Sequence, residues 1–173
     1  MKILLCGGNG AGKSTLGRVL SKKSGYRFMD IGEYYFPSPS SDYVYAKPRT
    51  KDEVTTDLLR DMQDYDNIIF SAVKGNYGKD IESLTDHAIY IDVPKEVRIK
   101  RVKQRSYDQF GERMMPGGDL HMREANFFKL VESRRDEDIF EWLEKTGIPF
   151  SIVDGTLKTE ELADLIYSMY IRK

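Results

Sequence analysis

A glycine-rich loop near the N-terminus is the feature that most constrains how this 173-residue chain folds. The loop, GGNGAGKST, covers residues 7–15 and places four residues between Gly7 and the triplet Gly12-Lys13-Ser14. The apolar run KILLC precedes it, and LGRVL, with apolar residues at helical spacing, follows it. Backbone N–H groups of such a loop and of the helix behind it converge on one point, which suits a phosphate. The order strand, loop, helix therefore predicts an α/β fold with a nucleotide-phosphate site.

The loop residues have separate predicted tasks. Lys13 is expected to reach the β- and γ-phosphates, and the Ser14 hydroxyl to ligate Mg²⁺. Thr15 either donates a further hydroxyl to phosphate or is a simple first-turn residue. The predicted nucleotide-binding set in this loop is Gly7, Gly8, Asn9, Gly10, Ala11, Gly12, Lys13, Ser14 and Thr15.

Composition excludes several classes of protein. With 27 basic and 28 acidic residues the net charge is -1, which argues against a nucleic-acid partner. Cys6 is the single cysteine, so no disulfide forms within the chain, and zinc-ligand spacings are absent. No apolar run approaches the length of a membrane span. The chain starts directly with a strand and shows no signal-peptide layout, so a cytoplasmic protein is expected.

Short apolar runs alternate with helical patterns along the whole chain. Strands are predicted at residues 2–6, 27–31, 67–72, 88–93 and 149–154. Helices are predicted at residues 14–24, 51–65, 94–105 and 120–145, the last with a candidate break at SRRDED. A final helix is expected to begin with Thr159 as its N-cap and to bury Leu162, Leu165, Ile166 and Met169. This order predicts a five-stranded, mainly parallel sheet with helices on both faces, and ligands beyond the carboxyl ends of the strands.

Five motifs occur in the order and spacing of small P-loop kinases: GGNGAGKST, FMDIGE, IIFSAV, YIDVPKEVRIKRVKQR and VDGTLKTEELADLI. The chain resembles the nucleoside monophosphate kinase and shikimate kinase group along nearly its whole length. It also resembles bacterial proteins described as AAA-type ATPases, although it lacks room for the additional helical domain of a true AAA module. The resemblance implies one three-layer P-loop NTP hydrolase domain over residues 1–173. It further implies an acceptor-binding insertion at about 32–50 and a lid at about 106–119, and both segments are irregular in composition.

Acidic residues follow the second predicted strand. In similar kinases an acidic residue at the position of Asp30 helps to hold Mg²⁺ or binds the acceptor hydroxyl, and a carboxylate there can accept the hydroxyl proton. The alternative interpretation is that Asp30 caps a turn, and the interpretation as a site residue is preferred. Gly32 stands where shikimate kinases carry a second Asp, which argues against shikimate as the acceptor. Glu33 is either an acceptor-binding residue or a solvated loop charge. The third strand ends in Ser71, where a Walker B carboxylate is expected.

Arginines dominate the region after the fourth strand. Arg98, Arg101 and Arg105 share one helical face. By resemblance, Arg101 and Arg105 match arginines that stack on adenine or approach the phosphates, whereas Arg98 is expected to be solvated. Arg113 lies in the lid and either swings onto the γ-phosphate or, as is also open for Arg105, is a solvated basic residue.

Glycines and acids near the lid and after the fifth strand allow two interpretations each. Gly117 and Gly118 are either hinges for lid closure or part of a plain turn with Asp119 as the next N-cap. Asp154 and Gly155, in VDGT, either lie against adenine, as the resemblance implies, or form a turn into the last helix.

The predicted acceptor side is rich in aromatic residues. The insertion carries Tyr34, Tyr35, Phe36, Tyr43 and Tyr45, which either stack on a ring of the acceptor, form a satellite cluster, or present a surface to a partner. Arg49 is the basic residue best placed for an acceptor phosphate. Lys74, in AVKGNYG, either contacts an acceptor anion or belongs to an ordinary loop. The predicted acceptor-binding set is Glu33, Tyr34, Arg49 and Lys74.

These patterns favour ATP-dependent phosphoryl transfer to a small-molecule acceptor, with a nucleoside or nucleotide ahead of a small metabolite. The predicted catalytic residues are Lys13, Asp30, Arg105 and Arg113, and the predicted cofactors are ATP and Mg²⁺, the latter on Ser14 and Asp30. An ATPase or nucleotide-dependent switch with a protein partner is the second hypothesis, and a nucleic-acid end kinase is the third. His87 and His121 have no partner at metal or triad spacing and are assigned no role.

Overall fold

A five-stranded parallel sheet forms the centre of the molecule. The computed structural model describes residues 1–37 and 43–172. The strands are β1 (Lys2–Cys6), β2 (Arg27–Asp30), β3 (Ile68–Ser71), β4 (His87–Asp92) and β5 (Phe150–Asp154). Their order in the sheet is β2-β3-β1-β4-β5, and every adjacent pair is parallel. The predicted sheet is confirmed, and β1 in its middle places the glycine-rich loop at the centre of the carboxyl edge.

Helices follow the strands in chain order. They are α1 (Lys13–Ser24), α2 (Ile31–Tyr35), α3 (Lys51–Asp64), α4 (Lys79–Leu84), α5 (Lys95–Phe110), α6 (His121–Ser133), α7 (Glu137–Thr146) and α8 (Thr159–Ile166). A 3₁₀ turn, Gly111–Met114, follows α5, and a π turn, Tyr167–Ile171, follows α8. The predicted break at SRRDED is confirmed, because α6 ends at its first residue, Ser133, and α7 begins at Glu137.

Two apolar cores lie on opposite faces of the sheet. Alternate residues of β1 belong to different cores, with Leu4 and Cys6 on one face and Ile3 and Leu5 on the other. Helices α3, α4 and α7 cover the first face, and α1 and α8 cover the second. A parallel strand covered on both faces needs a continuous apolar sequence, which explains the run KILLC. The predicted three-layer architecture is therefore confirmed.

Two segments predicted to be irregular contain helix. Residues 31–35 form α2, which starts where the Asp30 side chain accepts a hydrogen bond from the Gly32 N–H at 2.9 Å. Helix α5 continues to Phe110, five residues beyond its predicted end, because the side chains of Ser106 and Phe110 are buried. Residues 38–42 of the predicted acceptor insertion lie outside the described residues.

The last helix differs from its predicted form. Its N-cap is Lys158, without a side-chain cap, so the assignment of that role to Thr159 is wrong. Leu162 and Ile166 are buried as predicted, but Leu165 and Met169 are 42% and 59% exposed. The buried face of α8 contains Leu162, Ala163 and Ile166, so Leu165 lies at the side of the helix. The π turn then changes the angle between successive residues before Met169.

Within residues 1–37 and 43–172, no helix is both long enough and apolar enough to cross a membrane.

Candidate active site at the carboxyl edge of the sheet

The glycine-rich loop curls around the N-terminus of α1. Gly10 has φ 83°, and a Cβ placed on it would lie 2.3 Å from the backbone oxygen of Arg98. Gly12, with φ 92°, caps α1 in the left-handed conformation. Only glycine combines positive φ with so close an approach of another backbone segment at no steric cost. The resulting turn leaves the first N–H groups of α1 available to an anion.

Lys13 folds back over the loop. Its Nζ donates hydrogen bonds to the backbone oxygens of Gly7 and Gly8, both at 2.9 Å. Burial lowers the pKa of the Lys13 ammonium to about 8, although Cys6 and Asp30 act in the opposite direction. A polyphosphate in the loop would replace two carbonyl acceptors with charged ones, so the residues present fit such a ligand.

A buried arginine supports the loop from below. Arg98 is 6% exposed; its Nε donates to the Val93 backbone oxygen at 2.8 Å, and its guanidinium pairs with Asp136. A Cβ on Gly8 would lie 1.5 Å from Arg98 Nη1. The expectation that Arg98 is solvated is therefore wrong. The first turns of α5 pack beneath the glycine-rich loop, and helical periodicity alone does not predict that this face of α5 is covered.

The segment between α6 and α7 adds a second contact to the loop. Arg134 donates a hydrogen bond to the Asn9 side chain, and its backbone oxygen accepts one from Lys95 at 3.1 Å. Together with the Arg98–Asp136 pair, this contact joins the predicted break in the helical region to the phosphate loop. The charged residues of SRRDED indicate a break in the helix, but they do not indicate that this segment packs against the glycine-rich loop.

A cleft of about 610 Å³ opens in front of the loop. It brings together residues from the loop, the ends of β2 and β3, and α5. Among the predicted site residues it is lined by Asn9, Gly10, Gly12, Lys13, Ser14, Thr15, Asp30, Glu33 and Arg105. Ser71, at the end of β3, lines the cleft where a carboxylate is absent. Six of the nine predicted loop residues thus share one cavity with Asp30, Glu33 and Arg105, whereas Gly7, Gly8 and Ala11 do not line it.

Asp30 both caps α2 and lines the cleft, so the two interpretations of this residue are compatible. Its Oδ1 accepts the Gly32 N–H, and within the described residues its other carboxylate oxygen has no hydrogen-bond partner. Glu33 pairs with Arg18 of α1 at 2.6 Å, and Arg18 lines the same cleft. Sequence reasoning missed Arg18, although its position four residues after Ser14 places both on one face of α1.

Aromatic side chains form the far wall of the cleft. Phe36 and Tyr45 pack edge to face at 5.2 Å between ring centroids, and Tyr43 packs on Phe110 of α5, also at 5.2 Å. Phe36, Tyr43, Tyr45 and Phe127 of α6 line the cavity. We call these four residues the aromatic wall. The rings both pack on one another and face a cavity, so the cluster and stacking interpretations coexist.

A buried carboxylate lies directly behind this wall. Glu124 of α6 is 1% exposed, and its Oε1 accepts the Tyr43 hydroxyl at 2.8 Å. Its Oε2 has no hydrogen-bond partner in the described part of the chain. Burial and the bond to Glu124 raise the pKa of Tyr43 above its ordinary value. Neither Glu124 nor Phe127 was predicted, because nothing in the sequence of α6 shows which of its faces meets the insertion.

A smaller cavity of about 220 Å³ lies on the other side of the loop, and Ala11, Gly12, Thr15, Arg101 and Gly155 contribute to its lining. Arg101 Nη1 donates to the Gly10 oxygen at 3.4 Å. The Gly155 N–H donates to the Asp92 oxygen at 2.7 Å, and a Cβ on Gly155 would lie 2.4 Å from Ile91 Cγ2.

Asp154 has a local task beside that cavity. Its Oδ1 accepts hydrogen bonds from the Thr156 hydroxyl at 2.6 Å and the Thr156 N–H at 2.8 Å, and the hydroxyl bond is the main reason that the pKa of Asp154 is lowered. Asp154 therefore holds the turn before α8, and its side chain does not line the cavity.

Three predicted acceptor residues lie away from the cleft. Tyr34 faces α3 and donates its hydroxyl to Asp61 at 2.7 Å. Arg49 pairs with Asp57 of α3 at 2.7 Å. Lys74 does not line the cleft. For Tyr34 and Arg49 the neighbouring helix α3, rather than the composition of the loop, decides where the side chain lies.

The predicted lid is a folded turn in this structure. Arg113 forms an exposed ion pair with Asp119 at 2.6 Å and does not line the cleft. A Cβ on Gly118 would lie 2.2 Å from the Arg113 backbone oxygen, so this glycine serves a tight turn. The N-cap of α6 is Leu120, and the prediction of Asp119 in that role is wrong because its carboxylate is engaged by Arg113.

Comparison with known proteins assigns the family. A family profile described as an AAA domain matches residues 3–129. The chain belongs to this family. The AAA-domain protein is similar to the protein YqaC of Bacillus subtilis, with 25% identity over 127 residues, 73% of this chain and 68% of YqaC. It is also similar to a cytidylate kinase of Sulfolobus acidocaldarius, with 25% identity over 190 residues, 100% of this chain and 96% of that one.

The fold of the AAA-domain protein matches that of a solved kinase. The structure of deoxyadenosine kinase from M. mycoides with bound dATP superposes with a TM-score of 0.58 at 19% identity, covering 97% of this chain and 98% of that one. This likeness shows a shared fold. Together with the sequence relatives, it identifies the AAA-domain protein as a P-loop protein like the nucleoside monophosphate and shikimate kinases.

Proposed function

We propose that this protein is a kinase that transfers the γ-phosphoryl group of ATP to a small acceptor, with a nucleoside or nucleotide as the favoured class. The observation that carries the proposal is the content of the main cleft, where the Lys13 loop, Asp30 and Arg105 share one cavity with an aromatic wall. The names of the cytidylate kinase and deoxyadenosine kinase relatives support an acceptor of this class.

The donor binds by its phosphates in the loop. Backbone N–H groups and the positive end of α1 face the phosphates, and Lys13 releases its two carbonyl acceptors to meet them. The base lies in the smaller cavity, against Gly155 and Arg101, which leaves the main cleft for the acceptor.

The donor set of the cleft suits a hard cation such as Mg²⁺. The Ser14 hydroxyl and the Asp30 carboxylate line the same cavity, and both offer oxygen. No cluster of three or more His, Cys, Asp or Glu residues able to hold a metal occurs in residues 1–37 and 43–172. Mg²⁺ usually takes one or two protein ligands and completes its shell with phosphate oxygens and water. Bound there, it supplies positive charge to the phosphates.

Transfer then needs little covalent help from the protein. Asp30 orients the acceptor hydroxyl and accepts its proton through the oxygen that α2 leaves unpaired, so its contact with Mg²⁺ would run through a water molecule of the metal's shell. Lys13 and Arg105 neutralise charge on the transferred group. Arg113 joins them only if the turn that holds it opens and its pair with Asp119 breaks.

The alternative of an ATPase or switch receives less support. Hydrolysis needs a group that orients water, and β3 ends in the buried Ser71 without a carboxylate. The aromatic wall also has no use in plain hydrolysis, because water offers no ring to stack.

The test is consumption of ATP with a panel of nucleosides, nucleoside monophosphates and small metabolites. We expect a phosphorylated product that depends on the acceptor, and Lys13→Ala should abolish it while circular dichroism shows an intact fold. Slow ATP hydrolysis without any phosphorylated acceptor would contradict the proposal, and so would wild-type turnover by Lys13→Ala.

A further inference from the structure

We infer that the acceptor is an uncharged nucleoside, phosphorylated on a hydroxyl group, and not a nucleoside monophosphate. This inference rests on the proposed function, since it assigns the acceptor of the same cleft. It depends on the charges that line the cavity, on the places of the remaining basic residues, and on the chemistry of Asp30.

The cleft has little positive charge to offer an acceptor. Its lining contains three basic side chains, Lys13, Arg18 and Arg105, and two carboxylates, Asp30 and Glu33. Arg18 is already paired with Glu33 at 2.6 Å. The donor triphosphate engages Lys13 and Arg105. A monophosphate acceptor would bring about −1.5 to −2 further charges to the same place, and among the described residues no unpaired cation of the lining remains to meet them.

Other basic residues are engaged elsewhere. Arg49, the residue that sequence reasoning assigned to an acceptor phosphate, is bound to Asp57 on α3. Arg113 is paired with Asp119, and Lys74 does not line the cleft. Residues 38–42 read Ser-Pro-Ser-Ser-Asp, so they bring no cation wherever they lie.

A third carboxylate makes the acceptor side still less suitable for an anion. Glu124 is fully buried behind Tyr43, and one of its oxygens is unpartnered within the described residues. Arg123 lies over the Tyr43 ring at 5.4 Å but is exposed to solvent. Solvent screens the charge of the exposed Arg123, so this residue adds little attraction for an anion at the wall.

Asp30 provides the chemical reason for a hydroxyl acceptor. An alcohol must lose its proton as its oxygen attacks the γ-phosphorus, and a free carboxylate oxygen can take that proton. The oxygen–phosphorus bond forms while the bond from the γ-phosphorus to the β,γ-bridging oxygen breaks, and ADP leaves with that electron pair. A phosphate monoester has a second pKa near 6, so at neutral pH its attacking oxygen carries no proton. Asp30 would then only repel it.

The aromatic wall supplies the remaining requirement. Phe36, Tyr45 and Phe127 line the same cleft as Asp30 and offer it ring faces or edges. An uncharged base stacks on such rings and needs no counter-charge. An acceptor with a hydroxyl group for Asp30 and an uncharged ring for the aromatic wall matches a nucleoside, whose sugar carries the hydroxyl and whose base stacks.

The experiment supplies ATP and Mg²⁺ with nucleosides and with their 5′-monophosphates at equal concentration, and separates products by chromatography. We expect nucleoside monophosphates to form from nucleosides, with kcat/KM for nucleosides at least about a hundredfold above that for monophosphates. Diphosphates formed from monophosphates, with nucleosides inert, would overturn the inference and leave the kinase function standing. Transfer only to acceptors without a base would also overturn it. No transfer to any acceptor would overturn the kinase function itself.

A charge variant tests the physical cause. Glu33→Gln releases Arg18, so the preference for nucleoside over monophosphate should fall by about tenfold. Glu132→Gln is the matched control, because Glu132 forms an exposed pair with Lys103 on α6 and α5, outside the cleft lining, and should leave the ratio unchanged. An unchanged ratio in Glu33→Gln, or an equal change in Glu132→Gln, would overturn the explanation by cleft charge.

Discussion

The protonation of Lys13 should make ATP binding by the glycine-rich loop depend on pH. Burial lowers the pKa of its ammonium to about 8, while only the protonated form attracts phosphate. The affinity for ATP should therefore fall as the pH rises from 7 to 9, since more of the free protein has lost the proton. Lys13→Arg should bind more weakly but with little pH dependence over this range, because arginine stays charged. Calorimetric titration with ATP at pH 7, 8 and 9 measures the affinities of the wild type and of Lys13→Arg. A wild-type affinity that does not change with pH would contradict the proposed contact between the Lys13 ammonium and the phosphates.

Asp30 should separate turnover from donor binding. Asp30→Asn keeps the ability to cap α2, because asparagine is as good a cap as aspartate, but it cannot accept the acceptor proton. We expect kcat to fall by about 10²–10⁴-fold, with the dissociation constant for ATP changed only a few-fold. Asp154→Asn, an acid that caps a turn outside the main cleft, is the control and should keep nearly full kcat. Equal losses in the two variants would point to a general effect of lost charge.

The residues that sequence predicts well are those whose task is local. Most P-loop residues line one cleft together with Asp30, Glu33 and Arg105, because these residues follow directly from strand ends or lie on one helix face. Arg49 and Tyr34 do not reach it, because their partners Asp57 and Asp61 lie on a helix whose orientation depends on the fold. Whether a side chain meets a ligand or a neighbouring helix is decided by packing, which a linear pattern does not contain.

At the scale of elements, α5 supports the loop through Arg98 and the start of α7. Removing one partner of a buried ion pair leaves an uncompensated charge, so Arg98→Ala should lower the free energy of unfolding by about 3 kcal/mol. Lys103→Ala removes an exposed pair on the same helix and should cost less than about 1 kcal/mol. Urea denaturation of the two variants gives the comparison, and similar small losses would contradict the supporting role of Arg98.

The link between the aromatic insertion and α6 depends on one hydroxyl. Tyr43→Phe removes the hydroxyl that donates to Glu124 Oε1, while Oε2 already has no partner among the described residues. The free energy of unfolding should therefore fall by about 1–3 kcal/mol. The KM for the acceptor should rise, because the wall loses its anchor. Tyr45→Phe, at a more exposed ring of the same wall, should be nearly neutral in thermal unfolding. If both variants lose equal stability, the Tyr43–Glu124 bond does not hold the insertion.

Elements were predictable where periodicity is long. Helices α1 and α3 follow from repeated apolar spacing over 12 and 14 residues, and the strands follow from short apolar runs. The short helices α2 and α4 were not predicted, because five or six residues show too little of a period and their starts depend on local caps. The length of α5 was underestimated because the burial of Ser106 and Phe110 comes from helix neighbours that the sequence does not reveal.

At the scale of the whole molecule, the sheet order puts the two cavities that we propose for donor and acceptor on the two sides of β1. The smaller cavity lies toward β4 and β5, and the main cleft extends toward β2 and β3. The glycine-rich loop stands between them, which is where a phosphoryl group has to pass. This arrangement follows from parallel topology, in which strand ends meet at one edge and ligands bind beyond it.

The central claim is acceptor-dependent phosphoryl transfer. The most direct measurement follows the labelled γ-phosphate of ATP in the presence of Mg²⁺ and nucleosides, and counts the phosphorylated nucleoside formed per ADP released. We expect one labelled nucleoside product for each ADP released, and only slow ADP formation without an acceptor. In Lys13→Ala, neither the labelled product nor ADP should form. Labelled inorganic phosphate as the main product, at a rate that no acceptor changes, would contradict it.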